Sequence, residues 1–252
     1  MSLLNVIKKK FYFYGLYKPS QKYSQCLGVY DNFGQIKKNG QDRFDSYCSD
    51  ACLKSFTSEA IAAQITFRDF PNLFFLQSAL KNITNVLDFG GACGHHYFAY
   101  RKHLDLSNIQ WHVVEMNEIV SKGNEISANE NSIFFHTDVN HVNQFDLFFC
   151  SGAIHYVEDY DRILKYAKKA RYILFSRLPL GKKTIVTTQN IGITKRNIIP
   201  LYIFNRNDFV NMFLDEFDLV GEVQVPWDGL FIPYHDEETV RSSSVLFFKK
   251  KI

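Results

Sequence analysis

Nothing in this sequence is long and apolar enough to cross a bilayer. The ~20 consecutive apolar residues a spanning helix needs occur nowhere in its 252 residues. The order of a signal peptide is missing too, because Lys8-Lys9-Lys10 follow the first apolar residues instead of preceding them. Charge of one sign is scarce: a net +3 is too small to imply nucleic-acid binding, and neither an arginine-rich face nor zinc-finger spacing supports that role. Cysteine is sparse. The five present (Cys26, Cys48, Cys52, Cys93, Cys150) are odd in number and form no paired CxxC pattern, which argues against a disulfide framework and a zinc site and for free thiols in a reducing compartment. Cys48 and Cys52 could share a helix face, but two thiols do not make a metal site. His235-Asp236-Glu237-Glu238 has a metal-ligand composition, yet its place between the last two strands predicts a solvated loop, so no metal is expected. Internal repeats and low-complexity segments are absent. A cytoplasmic protein without a nucleic-acid partner is expected. The basic runs at the two ends, Lys8-Lys9-Lys10 and Lys249-Lys250-Lys251, read first as solvated termini and second as a weak peripheral contact with the anionic inner face of a membrane. The sequence carries no signal for oligomeric state.

What is present is an ordinary globular composition, 46% hydrophobic and 22% charged, with many Phe (24) and Tyr (14). Residues 1–79 predict a helical front section, either an accessory cap or packed against the main sheet. Leu3, Leu4, Val6, Ile7, Phe11 and Tyr14 make a rough helical stripe, Asp31-Asn32-Phe33-Gly34 and Lys38-Asn39-Gly40 signal turns, and helices are expected over Ala51–Thr66 and Leu73–Lys81 with Pro71 between them. Residues 80–252 predict an α/β domain. Strands are expected at Asn85–Phe89, Gln110–Glu115, Ser132–His136, Phe145–Cys150 and Tyr172–Ser176, with helices around His96–His103, Asn117–Asn129 and Asp159–Ala170 between them. Near-continuous apolar strands separated by helices indicate a mostly parallel, Rossmann-like, doubly wound sheet. Phe217–Val225 and Ser243–Lys249 leave no room for a crossover helix, so an antiparallel edge pair is expected there. Residues 178–215 predict a long insertion.

The first strand runs into Asp88-Phe89-Gly90-Gly91-Ala92-Cys93-Gly94-His95-His96. Glycines at a strand-to-helix turn let backbone N–H groups approach a ligand, and the helix start behind them favours an anion. The dinucleotide pattern G-x-G-x-x-G fails, because counting from Gly90 places Ala92 and His95 where glycines belong; a nicotinamide-dependent oxidoreductase is therefore disfavoured. Glu115 ends the next strand about 20 residues beyond the last glycine, the spacing at which a carboxylate accepts ribose hydroxyls. Asp138 follows the third strand, where it can accept from an adenine amino group or cap a helix. The fourth strand runs into Cys150-Ser151-Gly152-Ala153-Ile154-His155-Tyr156, an apolar strand ending in a polar segment with a histidine.

In this order, Asp88-x-Gly90-x-Ala92-x-Gly94, Glu115, Asp138 and the Ser151–Tyr156 segment resemble the motifs of class I S-adenosylmethionine-dependent methyltransferases, with alanine replacing the usual middle glycine. The resemblance implies S-adenosyl-L-methionine as cofactor, held by Asp88, Gly90, Gly91, Gly94, Glu115, Asp138 and Ser151. Phe89-Gly90-Gly91, Gly28-Val29-Tyr30 and Thr187-Thr188-Gln189-Asn190 further resemble a little-characterised methyltransferase family associated with bacterial surface-polysaccharide and O-antigen biosynthesis. That resemblance implies a small-molecule or glycan acceptor, O-methylated on a sugar hydroxyl. A sugar hydroxyl is a poor nucleophile, so a general base is expected, and His155 after the fourth strand is the first choice. His96, Tyr156, Gln189 and Asn190 are the candidate acceptor contacts. The alternatives are a non-catalytic scaffold of the same fold that binds a glycan-assembly partner, and a methyltransferase of another small molecule.

Overall fold

The computed structural model describes residues 24–38, 50–190, 198–233 and 235–252. The elements in chain order are β1 (Ser24–Tyr30), α1 (Phe33–Lys38), α2 (Asp50–Ala62), α3 (Phe70–Ala79), β2 (Asn85–Phe89), α4 (His95–Tyr100), β3 (Gln110–Val114), α5 (Asn117–Ile126), β4 (Ile133–His136), β5 (Leu147–Ser151), α6 (Tyr160–Ala167), β6 (Tyr172–Leu178), β7 (Leu180–Gly181), β8 (Ile185–Asn190), β9 (Ile198–Asn205), α7 (Arg206–Leu214), β10 (Phe217–Phe231) and β11 (Val240–Lys250).

Seven strands lie in the order β4-β3-β2-β5-β6-β11-β10. The first five pair in parallel, and β11 runs antiparallel to both β6 and β10. The apolar runs have no polar alternation because both faces of this sheet are covered. Consecutive residues point to opposite sides, so Val86, Phe149, Leu174 and Phe247 enter one core while Leu87, Phe148, Ile173 and Phe248 enter the other. The chain leaves β2 in one direction through β3 and β4 and then returns to β5 on its other side. The switch point between β2 and β5 is where such sheets open a crevice for ligands.

The described helices α2 and α3 of the front section pack on the main sheet. Ala60 of α2, Ala63 just after it, and Phe75, Leu76 and Ala79 of α3 share a core with Trp111 and Phe149 of the main sheet. Pro71 does not separate two helices as expected. It sits in the first turn of α3, where its missing N–H has no helical partner to lose. The Asp31-Asn32 turn signal opens α1, where Asn32 Oδ1 accepts from Gln35 N at 3.0 Å. The stripe from Leu3 to Tyr14 and the thiol of Cys48 lie outside the described residues. The other four cysteines are buried.

Two strand regions went unforeseen. The front section supplies β1, and the expected insertion over 178–215 is built of β7, β8, β9 and α7. Together β1, β8, β9 and β7 extend the sheet beyond the antiparallel pair. Thr187 Oγ1 donates to Gly28 O at 2.7 Å and Thr188 Oγ1 to Leu27 O at 2.9 Å, which binds the two halves of this extension. Among the described residues no helix is long and apolar enough to cross a membrane. Of the C-terminal lysines, Lys250 Nζ donates to Lys168 O at 2.9 Å and Lys251 Nζ to Leu214 O at 2.6 Å, so both ammonium groups are tied to main-chain carbonyls.

Candidate active site

A cavity of about 570 Å³ opens at the switch point. Its floor is the turn after β2. Gly90 has φ +72°, and a Cβ there would lie 2.1 Å from Ala153 Cβ, so only glycine lets β2 and the segment after β5 close on each other. A Cβ on Gly91 would lie 2.5 Å from Asp88 Oδ2. Gly94, with φ +84°, precedes α4 and packs towards Ile133 and Phe135, away from the cavity.

Ala92, which stands where the motif carries glycine, keeps the glycine-like backbone at φ +48°. The turn is therefore preserved at the cost of strain in an L-residue. Ala92→Gly is expected to stabilise the ligand-free protein by about 1 kcal/mol, raising the thermal midpoint by ~2–4 °C. A lower midpoint in a melting curve would show that the methyl group contributes more packing than the strain costs.

Asp88 is fully buried behind this turn. Its Oδ2 accepts from Trp111 Nε1 at 3.1 Å and from His96 Nδ1 at 3.1 Å, while Oδ1 has no hydrogen-bond partner. Glu115 reaches the cavity from the end of β3, with Oε1 accepting from Ala92 N at 3.2 Å and Oε2 from Met116 N at 3.0 Å. The residue keeps some exposure, but its carboxylate is enclosed, and that desolvation raises its pKa to about 7 against the two amide hydrogen bonds. Val114, Met116 and Ile119 make the wall beside it apolar.

The structure brings Gly90, Gly91, Glu115, Ser151, His96 and Tyr156 together around the cavity. Gln189 stands one contact away, accepting from the Tyr156 hydroxyl at 2.6 Å, and the side chain of Asn190 lies outside the described residues. Asp138 is not on the wall. Its Oδ1 caps the following turn through Asn140 N at 2.8 Å, Arg162 reaches Oδ2 at 3.2 Å, and these contacts hold its pKa below the ordinary carboxylate range. Its neighbour Thr137 lines the cavity instead.

His155 departs most from expectation. It is buried, its Nδ1 has no hydrogen-bond partner, and it does not line the cavity. Burial, with the positive charge of Arg177, pushes its pKa down to about 3, so it is neutral and a weak base at working pH. The cause is local. Ile154–Tyr156 is a 3₁₀ turn, in which successive side chains point ~120° apart; Tyr156 takes the cavity side and His155 the interior.

Sequence spacing missed Phe56 and Glu59 of α2, which close the cavity from the front section, and no signal in the sequence marks them. It also missed Arg177, which lines the cavity in a left-handed backbone conformation at φ +53°. Its place at the end of the fifth parallel strand, where ligands of such sheets bind, is the signal that could have found it. His95, at the start of α4, lines the wall as well and donates Nδ1–H to Glu59 O at 3.1 Å.

The strand order, with an antiparallel strand inserted beside the last parallel one, is that of a Rossmann-like mixed α/β fold. No protein-family model matches the sequence, and no curated protein matches it. Solved structures show the likeness. The N-terminal domain of EvdMO1 with SAH bound has a TM-score of 0.50 at 11% identity, over 74% of this chain and 83% of that one. The same domain in the presence of SAH and D-fucose has a TM-score of 0.51 at 11% identity, over 82% and 100%. An S-adenosylmethionine-dependent methyltransferase from Clostridium acetobutylicum shares 13% identity at a TM-score of 0.46, over 75% and 94%.

Proposed function

We propose that the chain is an S-adenosylmethionine-dependent methyltransferase that methylates a sugar hydroxyl during assembly of a bacterial surface glycan such as O-antigen, working in the cytoplasm at or near the inner face of the membrane. One observation carries the proposal: at the switch point of a methyltransferase fold, the glycine turn and the Glu115 carboxylate face a single cavity. The donor set fits the cofactor. Glu115 keeps free lone pairs for a ribose diol, the apolar wall of Val114, Met116 and Ile119 suits a flat aromatic base, and a close-packed glycine turn presents main-chain amides to a carboxylate. The EvdMO1 domain of the same fold, which holds SAH (S-adenosyl-L-homocysteine), supports this choice of ligand. When bound, the cofactor supplies an activated methyl group, and the protein aligns the acceptor and removes its proton.

The opposite wall suits an acceptor rich in hydroxyls. Ser151, the Tyr156–Gln189 pair and Arg177 present donors and acceptors there. Gln189 joins this wall because β8 pairs with β1, so the two distant segments Gly28-Val29-Tyr30 and Thr187–Asn190 are neighbours across one ladder.

The test has two stages. SAH at about 100 times its Kd stabilises a one-site protein by ~2.7 kcal/mol, which for a chain of this size raises the thermal midpoint by about 5 °C or more. The absence of any rise at millimolar SAH would overturn the cofactor assignment. Incubation with methyl-labelled S-adenosylmethionine and a panel of nucleotide sugars and extracted glycans then locates the methyl group. Transfer to an amine or a carbon of a non-sugar acceptor would keep the enzyme class and overturn the sugar hydroxyl.

A further inference from the structure

The buried carboxylate beneath the turn and the histidine at the start of α4 are one unit. Asp88 is fully buried, and its Oδ2 lies 3.1 Å from His96 Nδ1 and 3.1 Å from Trp111 Nε1. An ionised carboxylate only accepts and an indole N–H only donates, so the proton between Asp88 and His96 sits on Nδ1. Nε2 is left with its lone pair. The ring is held in place by Phe149, edge-on at 4.8 Å between centroids, and by Tyr100 at 5.5 Å. It lines the cavity, and Nε2 has no hydrogen-bond partner among the described residues.

We propose that Asp88 and His96 form the general-base pair of the methyl transfer, with His96 Nε2 accepting the proton of the acceptor hydroxyl. The proposal rests on the methyltransferase assignment and deepens it. A buried carboxylate that fixes the tautomer of an imidazole and faces the charge it acquires is the logic of the Asp–His pair in serine hydrolases. The Oδ1 of Asp88 is buried without a partner, so the contacts this carboxylate makes run through Oδ2, to His96 and Trp111. Trp111 holds the carboxylate from the other side.

His95 also lines the cavity, but its Nδ1 bonds a main-chain carbonyl, Glu59 O, where His96 has a carboxylate; two further cavity groups already have partners. Tyr156 donates its proton to Gln189, and Glu115 accepts from two main-chain amides. A base of this kind serves an acceptor that keeps its proton at neutral pH, as a hydroxyl does. In the transfer the hydroxyl proton passes to Nε2, and the oxygen electron pair forms the bond to the methyl carbon. The pair of the broken carbon–sulfur bond stays on sulfur, giving neutral SAH, and His96 then releases its proton to water.

The test reads the ring nitrogens directly, with long-range ¹H–¹⁵N spectra of protein labelled in histidine and the His96→Gln variant identifying the resonances. Free protein is expected to show His96 as the Nδ1–H tautomer, and an Nε2–H tautomer overturns the proposal. Addition of SAH is expected to leave Nε2 bare; an Nε2 that becomes hydrogen-bonded to SAH makes His96 a cofactor contact and overturns it as well. Failure of SAH to bind under either spectrum removes the methyltransferase assignment itself, a different outcome from a wrong tautomer. With the acceptor panel, His96→Gln is expected to lower methyl transfer by about 100-fold or more while SAH affinity stays within about threefold. A loss below about fivefold, or an equal loss of SAH affinity, overturns the base.

Discussion

Glu115→Ala is expected to weaken SAH binding by about 3 kcal/mol, roughly a hundredfold, because two charge-assisted hydrogen bonds at ~1.5 kcal/mol or more each are removed. Glu115 is the carboxylate whose two oxygens are oriented by Ala92 N and Met116 N at the rim of the cavity, so its lone pairs are aimed before any ligand arrives. Titration calorimetry measures the effect, and a loss under about threefold would mean that the diol lies elsewhere. The wild-type protein should also show a pH signature. Burial holds the Glu115 carboxyl at about 7, against 4.5 for the free group. Between those values the folded chain keeps a proton that the unfolded chain has lost, so this residue's contribution to ligand-free stability falls as pH rises through the window. A ligand that donates two hydroxyl protons prefers the ionised form. SAH affinity is therefore expected to rise with pH and level off above 7, dropping about tenfold for each unit below it, and Glu115→Ala should erase that slope.

Gly90→Ala is expected to cost about 3 kcal/mol or more of folding stability and to abolish SAH binding. Two penalties add. The residue holds φ +72°, which costs an L-residue ~1–2 kcal/mol. In addition, its Cβ would stand 2.1 Å from Ala153 Cβ, an atom fixed to the main chain that no rotamer change can remove. Gly152→Ala separates the two effects. Its φ is +79°, but the nearest atoms to a Cβ there belong to the Arg177 side chain at 3.7 Å, so only the conformational penalty should appear. Urea unfolding of both variants gives the comparison. Equal losses would show that the β2–β5 closure is softer than its geometry implies.

The main sheet was legible in the sequence for a simple reason. A strand buried on both faces is an uninterrupted apolar run, as in Leu147-Phe148-Phe149-Cys150, and such runs separated by helices leave one arrangement open. β1 and β8 were not legible. Thr187 and Thr188 satisfy their hydroxyls on main-chain carbonyls of β1, so polar residues that look like a loop are buried in a ladder whose partner is far away in sequence. In the site, Gly90, Gly91 and Glu115 were legible because chain spacing alone fixes backbone and strand-end positions. His155 was not, since its direction depends on the turn that follows β5. The link from Asp88 to His96 was hidden for a different reason: both residues stood out singly, but only the first turn of α4 folds one back over the other.

The ladder between β1 and β8 also has a consequence in time. The hydrogen bonds from Thr187 and Thr188 to Gly28 and Leu27 span 159 and 161 positions of the chain. Closing so long a loop early gains little against its entropy, so the β2–β6 core is expected to form first and β1 to dock late. On a ribosome, β1 would wait for a partner strand made 159 positions later. Tyr156 is tethered to Gln189 on β8, the strand on which β1 docks, so the wall proposed for the acceptor is completed with this extension. On the proposed function, acceptor recognition is then a property acquired late in folding, after the turn that would cradle the cofactor is in place.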